Sequence, residues 1–502
     1  MEGIPTLFLS ALGTLLTPTT LIIMALGVIF GILLGILPGI GATAALAILF
    51  PLTYNMSVGN GIIFLLAVYS AAEYGGSIPA ILIRTPGTGS AAATVLDGYP
   101  LCKKGFPRKT LMISLTGGVF GGIFSTILFI LFAPFLAWAG LRFGPFEMFA
   151  VGVFGLSIIC GLVGKSVIKG YLSAALGLLM ATVGEAHFSG YRFTFGQEFL
   201  LDGFPLLVVF IGFFAVPQAI SMLVDVSSGE VEKFDIKQGG RRDFLSFKEA
   251  KRLLKTNVRG AAIGTFIGII PGTGAAIASF IAYNEEKRWS KRPEEFGTGI
   301  EEGVAAPETA NNAVVSGALV PTLTLGIPGS SAAALIMGLL IMKGIYPGPL
   351  FFAEQKSMVL LIFTGLLMMN LLLLLIGYGG LNIFSHVARV PERILGPLVM
   401  VLVLTGTYAY ELEPSHPAMA LGLGLFGYLM EKLGIPTVPL VIAFIMGPIM
   451  EYNLFQALMI SRGDVSILYK SPLAGFILIL AFLSAAYGII RERRSKDKAK
   501  KE

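Results

Sequence analysis

Charge is scarce in this sequence. Of 502 residues, only 13% are Asp, Glu, Lys or Arg, against about 25% in soluble domains. Hydrophobic residues make up 55%, and the mean hydropathy is +0.81. A soluble core cannot absorb that much apolar sequence without leaving large adhesive patches. Cysteine and histidine are also rare. Cys102 and Cys160 give no disulfide framework and no Cys-rich metal motif. The three histidines, His187, His386 and His416, are too far apart in sequence to read as a ligand cluster. No Lys or Arg precedes Arg84, so the start of the chain lacks the basic region of a signal peptide. GxxxxGK[ST] is absent, which argues against ATP hydrolysis. No Ser or Thr has a suitable His near it in sequence, which argues against an intramembrane enzyme. The expectation is a protein that is not an enzyme and carries no cofactor.

Long apolar runs are abundant. Leu111–Leu136, Leu206–Val224, Met358–Tyr378, Leu395–Tyr410 and Pro472–Ile490 are of the length a membrane-spanning helix needs, about 20 residues. With shorter and broken runs included, the sequence predicts roughly 10 to 13 membrane segments. The runs are continuous rather than alternating, so a β-barrel is not expected. The net charge of +6 is not a nucleic-acid signal, because the basic residues sit in loops and in the C-terminal tail.

The chain contains an internal repeat. Residues 35–43 read GILPGIGAT and residues 268–276 read GIIPGTGAA. Residues 79–93 read PAILIRTPGTGSAAA and residues 321–334 read PTLTLGIPGSSAAA. Pro79/Pro86 and Pro321/Pro328 have the same spacing, and each copy then reaches a Lys-Gly pair, Lys104-Gly105 and Lys343-Gly344. Charge flips between the copies. Uncharged flanks surround the first Pro-Gly motif of copy one. In copy two the flanks carry Lys248, Lys251, Arg252, Lys255 and Arg259 on one side and Lys287, Arg288, Lys291 and Arg292 on the other. By the positive-inside rule the copies have opposite orientations, an arrangement found in many secondary transporters. The expected fold is an all-α polytopic membrane protein of two inverted-topology repeats with re-entrant or broken-helix hairpins. Its parts are a first transmembrane repeat over 1–225, a charged cytoplasmic linker over 226–257 with room for a surface helix, a second repeat over 258–490 and a basic cytoplasmic tail over 491–502. Residues 258–283 fit a hairpin with arms of about 12 residues, roughly 18 Å. About four apolar segments are expected in 110–225 and about five after 356. The N-terminus is expected in the periplasm and the C-terminus in the cytoplasm.

Pro and Gly at membrane depth free backbone groups that are tolerated only inside protein or beside a polar cavity. A new helix N-terminus favours anions and a C-terminus favours cations. Four breaks qualify: Pro38, Gly39, Gly41 and Thr43; Thr85, Pro86, Gly87, Thr88, Gly89 and Ser90; Pro271, Gly272, Thr273 and Gly274; and Pro328, Gly329, Ser330 and Ser331. One such motif alone reads as a kink or packing site, whereas the repeated set reads as an anion site. Glu73 precedes the second break, and Glu308, Asn311 and Asn312 precede the fourth. Carboxylate, amide and carbonyl oxygens are suitable hard ligands for Na+. Alternatively, Glu308 caps a helix at an interface. Arg84 either pairs a substrate carboxylate or anchors a helix at the cytoplasmic end.

These motifs resemble the TctA-type large membrane subunit of tripartite tricarboxylate transporters. The resemblance runs from about residue 20 to about 490. It rests on GILPGIGATAA, TPGTGSAAATVLDGYP, PGTGAA and APETANNAVVSGALVPTLTLGIPGS. It implies a secondary transporter of the inner membrane for di- or tricarboxylates such as citrate, working by cation-coupled alternating access. The coupling ion would be Na+, with H+ as the other candidate. The implied partners are a small four-helix membrane subunit and a periplasmic solute-binding protein, and homo-oligomerisation stays open. The resemblance puts substrate and ion contacts on the Pro-Gly motifs and on Asn311 and Asn312. This chain has Arg84 where the family commonly carries Asn, and Gly89 where it carries Pro, so citrate itself is not implied. An ion channel and an intramembrane enzyme are the alternatives. Cysteines introduced at Met56 and Trp289 are expected to label from opposite faces of the membrane, and labelling from one face would contradict the inverted arrangement.

Overall fold

The computed structural model of the protein describes residues 4–163, 166–186, 190–224, 243–387, 392–464, 466 and 471–499. His187, the linker residues before Asp243 and the end of the basic tail lie outside them, as does the side chain of His386. The described chain is helical, apart from one short antiparallel pair, Gly184–Ala186 with Gly190–Arg192. Among the described residues, eight helices are long and apolar enough to cross a membrane, and five shorter apolar helices accompany them. Half-length helices are what broken membrane segments produce.

After an initial helix, Ile4–Leu15, the same three-helix unit appears in each half. The first half has Pro18–Ile36, Gly41–Leu49 and Val58–Gly75, the last continuing as Ser77–Ile83. The second has Phe247–Ile269, Gly274–Trp289 and Glu301–Leu325. Both glycines of each first Pro-Gly motif turn left-handed: Gly39 and Gly41 at φ 83° and 60°, Gly272 and Gly274 at φ 81° and 69°. A side chain would strain that backbone, which accounts for the P-G-x-G spelling. The second motifs also match in backbone conformation. One follows a helix that ends at Arg84 (φ 59°) and the other follows a helix that ends at Gly326 (φ 71°). Each cap N–H donates to a proline carbonyl, Pro79 O and Pro321 O respectively.

Glycines at every fourth position hold each unit together. A Cβ built on Gly27 would lie 2.8 Å from Phe64 O, on Gly31 2.6 Å from Val68 O and on Gly35 2.3 Å from Ala72 O. In the second unit, Gly260, Gly264 and Gly268 meet Ala306, Ala310 and Val314 in the same way. Residue numbers rise together along both seams, so the first and third helices run parallel. The middle helix must therefore return between them, and each unit is a hairpin followed by a long helix. Small residues allow this close backbone approach, the usual means of helix association in lipid.

In the first unit the hairpin arms run to 19 and 9 residues. In the second they run to 23 and 16, longer than the expected 12, and most of the difference lies in the first arm. The cause is a capping box: Ser246 Oγ accepts from Glu249 N, and Glu249 Oε2 accepts from Ser246 N at 2.9 Å. It starts the helix at Phe247, inside the stretch expected as linker. The remaining helices surround these units. Pro107–Gly140, Pro145–Leu162, Val167–Ala181 and Leu206–Val224 follow the first, the last containing a π-turn at Ile211–Ala215. Lys356–Val387, Glu392–Glu411, Ser415–Lys432, Val438–Ile460 and Pro472–Ala499 follow the second. Four and five helices agree with the apolar runs.

Gly264→Leu is expected to destabilise the protein by about 1–3 kcal/mol or more, lowering its melting temperature in detergent. Gly422→Ala, whose added Cβ meets nothing within 4 Å, is expected to leave it unchanged.

Candidate functional site

The four Pro-Gly breaks form a closed ring of contacts. Gly87 packs on the helix end at Gly35, where a Cβ on Gly87 would lie 2.1 Å from Gly35 O. Thr43 and Ser331 hydrogen-bond through their hydroxyls at 2.7 Å. Gly272 N donates to Gly329 O at 3.0 Å. Gly89 faces the Ala276 methyl at 3.9 Å from its own built Cβ. By the sequence repeat, Ala276 corresponds to Thr43 and Gly89 to Ser331. The two junctions between halves therefore differ in chemistry. In one a pair of hydroxyls meets, and in the other a glycine meets a methyl group.

The polar junction borders a cavity of about 180 Å3. Helix Gly41–Leu49 presents its N-terminal turn there, with Thr43 in it. Helix Ser331–Met342 does the same with Ser331, and its N-cap Ser330 accepts from Ala333 N at 3.1 Å. The other walls come from outside the hairpin units. Phe213 and Phe214 in the π-turn, with Gln218 one turn later, form one side. Glu431, Thr437 and Val438 form another. π-turns often mark functional positions, because the extra residue re-aims side chains. Gln218 also holds the first break: its Nε2 would be 2.7 Å from a Cβ on Gly39. The cavity thus gathers two helix N-termini, the hydroxyls of Thr43, Ser331 and Thr437, the Gln218 amide and the Glu431 carboxylate.

Behind the ring lie buried carboxylates and amides. Glu73 accepts from Ser90 Oγ at 2.6 Å, and Ser90 in turn meets Thr88 Oγ1 at 2.8 Å. Glu308 accepts from Ser77 at 2.6 Å, from Ser114 at 2.8 Å and from Thr94. Glu308 is two turns inside helix Glu301–Leu325 and buried, so it does not cap that helix. All three of its donors belong to the first half. Asn311 Nδ2 donates to Glu73 O at 3.2 Å, and Tyr69 Oη meets Ser330 Oγ at 3.1 Å. Along these contacts residue numbers fall in the first half as they rise in the second. The helices Val58–Ile83 and Glu301–Leu325 are therefore antiparallel neighbours. Asp97 adds a further link. Fully buried on helix Val95–Lys103, it accepts from the backbone N–H groups of Gly297, Gly299 and Ile300 and from Tyr283 Oη at 2.6–3.0 Å. A first-half carboxylate thus sits at the start of the second-half helix Glu301–Leu325, where its charge favours the helix dipole.

Of the residues singled out from the sequence, Thr43 and Ser331 line the cavity. Pro38, Gly39, Gly41, Pro328, Gly329 and Ser330 shape the two breaks that present them. Thr85, Pro86, Gly87, Thr88, Gly89, Ser90, Pro271, Gly272, Thr273 and Gly274 belong to the other side of the ring, with Thr273 Oγ1 donating back to Ile267 O at 2.6 Å. Arg84 is outside the cavity wall. It is exposed, and its guanidinium stands 6.0 Å from the Tyr99 ring, on which Lys103 Nζ also sits at 4.9 Å. Sequence reasoning missed Gln218, Thr437, Asp97 and the hydroxyls around Glu308. Gln218 had a signal, as the lone amide in an apolar run; Ser77, Thr94 and Ser114 had none.

Broken helices meeting over a polar cavity inside a many-helix bundle define a membrane transport protein. A sequence model of the Tripartite tricarboxylate transporter TctA family matches residues 21–442. The chain belongs to that family, the membrane component of a tripartite transporter. It is 37% identical over 487 residues to the "Uncharacterized 52.8 kDa protein in TAR-I ttuC' 3'region" of Agrobacterium vitis, covering 96% of each chain. It is 35% identical over 233 residues to the "Uncharacterized protein in TAR-II ttuC' 3'region" of the same organism, covering 46% of this chain and 96% of that one. No solved structure matches.

Asp97→Ala strands the buried N–H groups of Gly299 and Ile300, each costing about 1–3 kcal/mol, and frees that of the exposed Gly297. It is expected to lower the melting temperature far more than Tyr283→Phe, which leaves the backbone contacts intact.

Proposed function

We propose that this subunit takes up di- or tricarboxylates by cation-coupled alternating access. In this reading it works in the inner membrane beside a small four-helix subunit and receives substrate from a periplasmic solute-binding protein. One observation carries the proposal: the N-termini of Gly41–Leu49 and Ser331–Met342, from opposite halves, converge at Thr43 and Ser331 on one cavity. Each N-terminus stabilises an anion by about 0.3–2 kcal/mol. Neutral donors of this strength hold a carboxylate and still release it.

The antiparallel packing of Val58–Ile83 against Glu301–Leu325 supports inverted halves, with the N-terminus in the periplasm and the C-terminus in the cytoplasm. The hairpin units would move against the surrounding helices, with Gln218 and Thr437 as the scaffold side of the anion site. Na+, or else H+, would couple through Asn311, Asn312 and the nearby Glu308. We assign Arg84 to steering: an exposed cation near Lys103 raises the local concentration of anions without clamping one. Arg84→Asn is expected to reduce uptake most for the most highly charged carboxylates and to flatten its salt dependence. An unchanged substrate profile would make Arg84 an anchor.

The direct test is the melting temperature of the purified protein with mono-, di- and tricarboxylates, each with and without Na+. A ligand that binds only the native state must raise it. A carboxylate-specific rise that requires Na+ is expected. Absence of any rise, both in the isolated subunit and in its co-purified complex, would contradict the proposal.

A further inference from the structure

Three buried amides outside the cavity wall share an unusual property: their oxygens have no hydrogen-bond donor. Asn311, Asn312 and Asn370 are each 1% exposed. Asn311 Oδ1, Asn370 Oδ1 and both polar atoms of Asn312 lack a hydrogen-bond partner among the described residues, as does the buried Ser70 Oγ. Two of these amides are oriented by their own N–H groups. Asn311 Nδ2 donates to Glu73 O at 3.2 Å and Asn370 Nδ2 to Leu366 O at 2.7 Å. Rotating either amide would set its oxygen against a carbonyl, so the oxygen is the atom left over.

Asn312 and Asn370 also lie close together. Both rest on helix Pro107–Gly140, where side chains are missing. A Cβ on Gly118 would be 2.6 Å from Asn312 Nδ2, and a Cβ on Gly122 would be 2.2 Å from Asn370 Oδ1. Positions four apart on one helix face have Cβ atoms about 5–6 Å apart. Asn311 is the neighbour of Asn312 and reaches the carbonyl of Glu73 one turn along from Ser70. Of the atoms in this group that have no partner, three are amide oxygens and one is a hydroxyl, against a single amide nitrogen, that of Asn312. Buried acceptors in excess need a positive partner. Oxygen ligands select a hard cation. Because the oxygens here are neutral, a single positive charge is the better match; Glu73 and Glu308 are already engaged by Ser90 and by Ser77, Thr94 and Ser114.

We propose that Asn370 completes, with Asn311 and Asn312, a monovalent-cation site of neutral oxygens. This rests on reading Asn311 and Asn312 as the coupling-ion ligands and adds a ligand from outside the repeated units. Asn370 belongs to helix Lys356–Val387, whereas Asn311 and Asn312 belong to the second unit's long helix. A cation held by both ties the unit to its scaffold, which makes ion occupancy a condition on their relative position.

The test is the Na+ dependence of the melting temperature of the full-length protein, with choline chloride holding ionic strength constant. Wild type is expected to show a saturable rise. Asn312→Ala and Asn370→Ala are each expected to raise the half-saturating Na+ concentration about tenfold, which corresponds to about 1.4 kcal/mol for one lost ligand, while melting normally in choline. Where Asn370→Ala fails to fold, Asn370→Asp serves: the added charge is expected to tighten Na+ binding or to admit Ca2+ as a stabilising ion. A wild-type response weakened by Asn312→Ala but untouched by either Asn370 variant would overturn the role of Asn370 and leave the cation reading standing. A wild-type protein indifferent to Na+, Li+ and K+ alike would overturn both.

Discussion

A helix interrupted inside an apolar bundle leaves N–H and C=O groups that lipid cannot satisfy. Four interruptions in one chain multiply that demand, and the architecture around the breaks follows from how it is met. Gly87 N donates to Gly76 O, Gly272 N to Gly329 O, and Gly329 N to Thr322 Oγ1, each at 3.0 Å. The first two bonds require backbone to approach backbone, and glycine supplies the room. The seams of Gly27, Gly31 and Gly35 and of Gly260, Gly264 and Gly268 extend the same solution along the hairpins. The donors left at the new helix N-termini are then concentrated in one place.

That place is asymmetric although the repeat is not. Counted from the Pro-Gly pairs, Thr43 facing Ser331 and Ala276 facing Gly89 occupy corresponding positions, yet the first pair meets through hydroxyls beside a cavity and the second through a glycine and a methyl group. The carboxylates behind the ring are occupied by hydroxyls or, for Asp97, by backbone N–H groups from the opposite half. Glu308 and Asp97 bind the halves together, whereas the Glu73 carboxylate is held within its own half by Ser90.

Much of this was legible in the sequence, and the remainder was not for physical reasons. The Pro-Gly motifs marked the breaks because few other residues accept that backbone, and apolar runs gave the number of surrounding helices. Arm length was misjudged at Ser246–Glu249, where a capping box sits in charged sequence that composition assigns to a linker. The glycine seams were present at constant spacing but were hidden among the many glycines of an apolar chain. Gln218 and Asn370 are single amides in hydrophobic runs, and the sequence reading passed over both. Which groups they meet depends on helix register, and register is set by packing that no local pattern records. Ser77, Thr94 and Ser114 converge on Glu308 from three separate elements, so no spacing rule could have joined them.

The account depends on the junction of Thr43 and Ser331 being where the carboxylate binds. Its most direct test is the alkylation rate of a cysteine at either position, Thr43→Cys or Ser331→Cys, measured with a small maleimide on the purified protein in detergent. Protection that saturates with a di- or tricarboxylate, requires Na+ and is absent for a cysteine placed at Ala276 is the predicted result. An alkylation rate unaffected by every carboxylate, or protection equal at Ala276, would contradict it.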